Sequence, residues 1–158
     1  QENTRGTIYA GTGEVLAQTV IAEDGTSVRE YPYKNIFAHV VGYTDKGKTG
    51  IEELENYQLI HSDISDREKL DHELAGEKNP GNDVYTTLDT SLQQAASDAL
   101  GLYRGAIVVT EVKTGRVLAM VSKPDYDPNK MGDAQHRQGQ SSTRKPWDAG
   151  TVSAWFDL

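Results

Sequence analysis

The sequence predicts an α+β fold. Three observations point there. β-Prone runs are separated by Gly-rich turns at hairpin spacing. Helical windows are short and open with Thr-x-x-Glu or Thr-x-x-Gln caps. Hairpins and helices alternate in blocks, without the repeated strand–helix units of a parallel sheet. The expected layout is a hairpin-rich first domain with short helices over residues 1–83, then an opening helix and β-hairpin of a second domain over 84–131. A tail of different composition follows over 132–158.

In chain order, Thr7–Ala10 and Glu14–Ile21 flank Gly11-Thr12-Gly13, a turn that supplies φ > 0 to a hairpin. Asp24-Gly25 is a second turn signal, leading into Val28-Arg29-Glu30-Tyr31. Ile36–Val41 is a short apolar run and reads as a strand. Thr49 to Ile60 reads as one helix, with Thr49 and Glu52 as a capping box over a weak stripe of Ile51, Leu54 and Leu59. Residues 61–83 are polar and end in Asn79-Pro80-Gly81-Asn82, so a loop is expected there. Val84–Leu88 is a strand candidate. Thr90–Tyr103 is the best helix, with Thr90 as cap, Gln93 closing the box, and Leu92, Ala95, Ala96, Ala99, Leu100 and Tyr103 on one face. Ala106–Val112 and Arg116–Ser122 flank Lys113-Thr114-Gly115. Their near-continuous apolar character predicts strands covered on both faces.

Composition excludes several classes. Lys plus Arg is 16 against 24 Asp plus Glu, a net charge of −8 over 158 residues. A nucleic-acid binder needs clustered cations, so that partner is not expected. There are no cysteines, hence no disulfides, Cys-ligated zinc, iron–sulfur clusters or thiol catalysis. The histidines His39, His61, His72 and His136 lack ligand spacing, so neither a metal nor a cofactor is expected. No apolar run approaches the ~18 residues of a membrane-spanning helix. The start at Gln1-Glu2-Asn3-Thr4-Arg5 is neither a signal peptide nor an initiator Met, so the chain is expected to be a piece of a longer protein.

The sharpest chemical motif is Gly42–Thr49, which matches the phosphate-loop pattern G-x-x-x-x-G-K-[ST] in full. In that alternative reading Gly42 and Gly47 shape the loop, Lys48 meets the β/γ-phosphates of a nucleotide, and Thr49 binds Mg²⁺. Glu52, Glu53, Glu55 and Asp45 oppose it by charge, and no later strand delivers a metal-binding Asp. Ser142-Thr143-Arg144-Lys145 spells the Ser-x-x-Lys of acyl-serine enzymes, but in a polar tract. His39 reads as a packed, hydrogen-bonded residue. Asp63, Asp66, Glu68, Asp71 and Glu73 read as a solvated face.

Taken together and in order, many segments resemble one family. They are Arg5-Gly6-Thr7-Ile8, Gly13–Ala17, Arg29 with Tyr31-Pro32, Phe37–Tyr43, Gly47–Glu52, Val84–Gln93, Gly105–Val109, Thr114–Ser122 and Pro124–Asn129. This set closely resembles the class B, monofunctional penicillin-binding proteins over roughly residues 4–131. The chain departs from the family at Tyr9–Gly13, where the usual Asp and Arg of the first turn are missing.

The resemblance implies the following. Residues up to 83 would be the non-catalytic N-terminal, or dimerisation, domain, and 84–131 the opening helix and strands of a transpeptidase domain. Arg5, Gly6, Arg29, Gly50 and Glu52 match family motif positions and are expected to be structural, with Arg–Glu pairing across the N-terminal domain. The parent would be an extracytoplasmic serine D-Ala-D-Ala transpeptidase, tethered by one membrane helix absent from this chain. Peptidoglycan peptides and β-lactams would be ligands of that full-length parent. Lys113-Thr114-Gly115 spells a family catalytic motif but comes too early, so it reads as a turn. No catalytic residue is expected in this chain, which is expected to be inactive alone. Its partners would be a second copy or other cell-wall synthesis proteins. The tail from Gly132 is expected to be non-family, out-of-frame sequence. Shifted by one base, codons permitted for Asp148–Leu158 encode Thr-Gln-Gly-Leu-Tyr-Pro-Pro-Gly-Ser-Thr-Phe, which resembles the family's approach to its nucleophile.

Overall fold

The β-branched residues around the Gly11–Gly13 turn fold back on one another as their alternation requires. The computed structural model describes residues 3–45 and 47–131. In it β1 (Ile8–Tyr9) pairs antiparallel with β2 (Val15–Ile21), and β2 with β3 (Ser27–Glu30). The β2–β3 turn is held by Asp24 Oδ1, which accepts from the Thr26 N–H at 2.9 Å and its hydroxyl at 2.6 Å. From far along the chain, β4 (Val84–Tyr85) lies parallel to β1, giving the order β3-β2-β1-β4. The Tyr9 and Tyr85 rings stack with centroids 5.0 Å apart.

The run Ile36–Val41 is not the strand its composition predicts. A 3-10 turn, Lys34–Phe37, passes straight into α1 (Ala38–Val41). Phe37, Ala38, Val40 and Val41 are all buried, and a single helical turn so rich in apolar residues shows no period to distinguish it from a strand. The single helix expected over Thr49–Ile60 is two, α2 (Gly50–Leu54) and α3 (Asn56–Ile60), broken at Glu55. The expected Thr49–Glu52 capping box is absent. Thr49 stands at the N-cap without a side-chain bond, because Glu52 turns inward.

The polar stretch expected to be loop contains α4 (Asp66–Ala75). Ser65 and Glu68 form a full capping box, and Gly76 closes the helix in the left-handed conformation. This helix buries no residue, so it lacks the apolar stripe by which helices are recognised.

The second unit opens with α5 (Thr90–Leu100), then β5 (Gly105–Thr110) and β6 (Val117–Lys123), which form an antiparallel pair. The cap of α5 is Asp89, one residue before the expected Thr90; its side chain accepts from the Leu92 N–H at 2.9 Å. The buried face is Gln93, Ala96 and Ser97, so the expected stripe is turned about one residue: Leu92 and Tyr103 are exposed. Gln93 causes this. It is fully buried; its Nε2 donates to Ile36 O and Met120 O, and its Oε1 accepts from the Met120 N–H, all at 2.8 Å. The strands are not covered on both faces among the described residues, since β5 alternates half-buried with exposed positions.

One core joins the two units. Ile8, Leu16, Phe37, Val41, Leu59 and Leu88 pack together, with Val117 and Met120 against them. A strap of residues 123–129 adds polar bonds back to the first unit. Asn35 Nδ2 donates to Asp125 Oδ2 at 2.8 Å, and Tyr126 Oη donates to Ala38 O at 2.8 Å. His39 Nε2 lies 2.9 Å from Pro124 O, which can only accept, so that nitrogen carries the proton. Asn129 bonds both backbone groups of Tyr31, at 2.9 and 3.0 Å. Among the described residues no helix is long and apolar enough to cross a membrane.

Candidate functional site

Three elements deliver charge to one buried point. Arg5 precedes β1, Arg29 lies on β3, and Glu52 sits in the middle of α2. Glu52 is fully buried. Its Oε2 accepts from Arg5 Nε at 2.7 Å and its Oε1 from Arg29 Nε at 2.8 Å. Arg5 Nη2 reaches on to the main-chain O of Glu52 at 2.6 Å, and Nη1 to Asn56 Oδ1 at 2.8 Å. Arg29 Nη1 donates to Gly6 O at 2.7 Å and to Thr19 Oγ1 at 3.1 Å. Tyr31 Oη completes the set by donating to Glu52 Oε1 at 3.2 Å. Burial first, then the adjacent Glu52 charge, pushes the Tyr31 hydroxyl far above the ordinary tyrosine range.

The local sequence explains the convergence. Arg29 lies on β3 and Tyr31 directly follows its last residue, two positions on, so both reach Glu52 Oε1. Glu52 and Asn56 are four apart across α2 and α3, and both are reached by the Arg5 guanidinium. Gly6 comes so close to the chain at Asn82 that a Cβ would fall 1.9 Å from its carbonyl oxygen. That approach aims the Gly6 carbonyl at Arg29. The carboxylate is enclosed by two guanidiniums and a phenol, and the bonds link α2 to Arg5 before β1 and to Arg29 on β3. Sequence reasoning named Arg5, Gly6, Arg29, Gly50 and Glu52, and the structure brings the three charged residues together. Thr19, Asn56 and the buried Gln93 were missed. The i, i+4 spacing of Glu52 and Asn56 was the available signal for Asn56.

The phosphate-loop reading of Gly42, Gly47, Lys48 and Thr49 is corrected by the geometry. The segment before the loop is helix α1, where the motif requires a strand. The loop is closed on itself: Gly42 N–H donates to Ala38 O at 3.0 Å and Thr49 N–H to Tyr43 O at 3.3 Å. These bonds engage the first and last amides of the loop, Gly42 and Thr49, so neither is free for a phosphate. Lys48 is exposed, and Lys46 lies outside the described residues. Lys113-Thr114-Gly115 is the β5–β6 turn, where the Thr114 hydroxyl bonds Glu111. Ser142–Lys145, and with it the expected out-of-frame tail, lies outside the described residues.

A unit clamped around a buried carboxylate, running into the first helix and strand pair of a second unit, defines a protein class that the comparisons identify. Residues 5–84 match the penicillin binding protein A dimerisation domain, and residues 105–155 match the penicillin binding protein transpeptidase domain. The second match thus runs past residue 131, where composition suggested an end to the family sequence. The peptidoglycan D,D-transpeptidase PbpA of Mycolicibacterium smegmatis is 40% identical over 136 residues, covering 79% of this chain and 27% of that protein. MrdA of Acinetobacter baumannii is 33% identical over 146 residues, covering 73% of this chain and 21% of that protein. Among solved structures, the imipenem acyl-enzyme of penicillin-binding protein A from M. tuberculosis superposes with a TM-score of 0.74 at 33% identity, covering 92% of this chain and 36% of that one. A D,D-transpeptidase domain from Eggerthella lenta gives a TM-score of 0.72 at 38% identity, covering 90% and 30%.

The chain belongs to the class B penicillin-binding proteins, as a dimerisation domain followed by the start of a transpeptidase domain. It spans about a quarter of the length of the curated relatives it matches.

Proposed function

We propose that this chain is a scaffolding part of a cell-wall D,D-transpeptidase. It holds the opening of the catalytic domain on a rigid pedestal and offers surfaces for self-association or for other cell-wall synthesis proteins. Penicillin binding and peptide transfer belong to the full-length parent at the extracytoplasmic face of the membrane. The observation that carries this reading is the Glu52 cluster with the 123–129 strap: the family's charged motif residues here are spent on fastening elements together. The single Ser-x-x-Lys of the chain, Ser142–Lys145, lies in a polar tract without the family's flanking residues.

The test is intact-mass analysis after incubation with a fluorescent penicillin. No covalent adduct is expected on this chain, and an adduct would overturn the reading. Sedimentation velocity across a concentration series tests self-association, for which a strictly monomeric profile leaves only docking of other proteins.

A further inference from the structure

The sheet of β5 and β6 is finished on one side only. Along β6, the N–H and carbonyl of Met120 are both taken by Gln93, so they point away from β5. Val108 stands opposite Met120. In an antiparallel pair, opposite residues turn their backbone groups either both toward each other or both away. The N–H and carbonyl of Val108 therefore point out of the sheet on its far side, and by alternation so do those of Ala106 and Thr110. Glu111 agrees, since its N–H points inward, to Arg116 O at 2.8 Å. β5 ends its sheet, and among the described residues no hydrogen bond reaches the outward groups of Ala106, Val108 or Thr110. The run Gly105-Ala106-Ile107-Val108-Val109-Thr110 holds no charge and no Pro, the residues that usually protect an edge.

We propose that this edge takes the same edge of a second copy, antiparallel, about a two-fold axis through Val108, so that two hairpins become one continuous sheet. The occupant follows from the strand itself. Pairing Val108 with its own copy sets Ala106 against Thr110 on either side, and each of these pairs exchanges main-chain bonds. The same register sets Ile107 against Val109 twice. These two lie on the face toward α5, where a Cβ on Gly105 would meet Leu100 at 3.6 Å. Both are only half-buried in one copy, because α5 lies over β6 more than over β5. The strip beside α5 thus leaves space for β-branched pairs, which stabilise a sheet across strands. On the other face Val108, 47% exposed, meets itself. The ends match as well. Leu102 and Tyr103 precede β5, Val112 follows it, and all three stand in solvent. The antiparallel register brings Leu102 and Tyr103 of each copy beside Val112 of the other. A two-fold contact requires such a self-complementary patch. The net charge of −8 does not oppose it, because no charge lies between Gly105 and Thr110. The proposal rests on the self-association half of the function proposed above and names its surface.

Sedimentation velocity of the full chain reads the dimer, which is expected to form between about 1 μM and 1 mM. Val108→Lys sets two cations against each other across the axis and should weaken it about tenfold, with the melting temperature of the dilute chain unchanged. Because the chain has no cysteine, an introduced one reports the register. Val108→Cys places two thiols on residues about 5.5 Å apart at Cα, inside disulfide reach, so oxidation should give a covalent dimer. Ala106→Cys alone places them roughly 14 Å apart along the strands and should not, whereas Ala106→Cys combined with Thr110→Cys should. Amide exchange should show Ala106, Val108 and Thr110 gaining protection as concentration rises. A chain still monomeric at about 1 mM would overturn the proposal together with self-association. A dimer insensitive to Val108→Lys, or one that Ala106→Cys links as readily as Val108→Cys, would overturn this surface and leave self-association standing. Protection of the three amides in the dilute monomer would assign the edge to residues 132–158, and would overturn the proposal too. Penicillin labelling is unaffected by any of these results.

Discussion

The side-chain amide of Gln93 bonds the backbone of Met120 at both its N–H and its carbonyl, each at 2.8 Å. It stands where a neighbouring strand would stand, and so finishes the inner edge of β6 from a helix. Its second Nε2 bond, to Ile36 O, ties that edge to the first unit.

Gln93→Leu keeps the volume and removes all three bonds, leaving buried backbone groups of Met120 and Ile36 without partners. The expected loss is about 3 kcal/mol, since each such group costs ~1–3 kcal/mol. Urea unfolding should show a lower midpoint with an unchanged slope. An unchanged midpoint would mean that water replaces the amide.

Removing Glu52 leaves two guanidiniums facing each other in the interior. The side chains of Arg5 and Arg29 are only 13% and 8% exposed. Glu52→Ala is therefore expected to cost about 3–5 kcal/mol. Arg5→Ala should cost less, because Arg29 and Tyr31 still hold Oε1 and only Oε2 loses its partner. A double-mutant cycle measures the coupling. Additive losses would show that the pair acts as two independent contacts.

Alkaline pH should loosen the strap. Burial holds the Tyr126 hydroxyl protonated, raising its pKa from the ordinary 10.0 to about 12. The unfolded chain loses that proton first, so the contribution of Tyr126 is full below pH 10.0 and is lost as pH climbs toward about 12. Tyr126→Phe should flatten this slope while giving up its bond to Ala38, worth about 1 kcal/mol. On the acid side, burial pushes Asp125 up, but hydrogen bonds from Lys123 and Asn35 outweigh it and hold the carboxyl below its ordinary 3.8. That contribution is present above pH 3.8 and disappears as pH falls through the folded value. Urea midpoints measured from pH 2 to 11 give both limbs.

Gly42 and Gly50 interlock. Gly42 has φ +84°, and a Cβ there would lie 1.9 Å from Thr49 O; Gly50 has φ +60°, and its Cβ would lie 2.6 Å from Val40 O. Alanine at either position meets both backbone strain and collision. The expected cost is at least about 3 kcal/mol, read from melting temperature, with Gly76→Ala as control. At Gly76 nothing lies within 4 Å, so only the strain of φ +72° remains.

Where residues follow one local rule, the sequence was readable. The β1–β2 and β2–β3 turns, the β5–β6 pair and the three motif charges came through because turn chemistry and residue type act over a few positions. Ile36–Val41 misled because a single, largely buried helical turn is too short to show a period. Thr49–Ile60 misled because the Glu that would cap the helix is claimed by two distant arginines. α4 is held by its caps and pairs alone, with no apolar face to reveal it. Gln93 read as the closing residue of a capping box because its real partners lie at Ile36 and Met120, tens of residues away in either direction. Long-range polar bonds leave no local trace.

The pairing of Val84–Tyr85 with Ile8–Tyr9 has a practical corollary for anyone dividing this protein. Ending a polypeptide at residue 83 would strip away the parallel partner of the first strand and, with Leu88, a plug from the shared interior. An autonomous pedestal would have to carry the chain beyond Leu88, so the junction between the halves is a shared seam and not a cutting line.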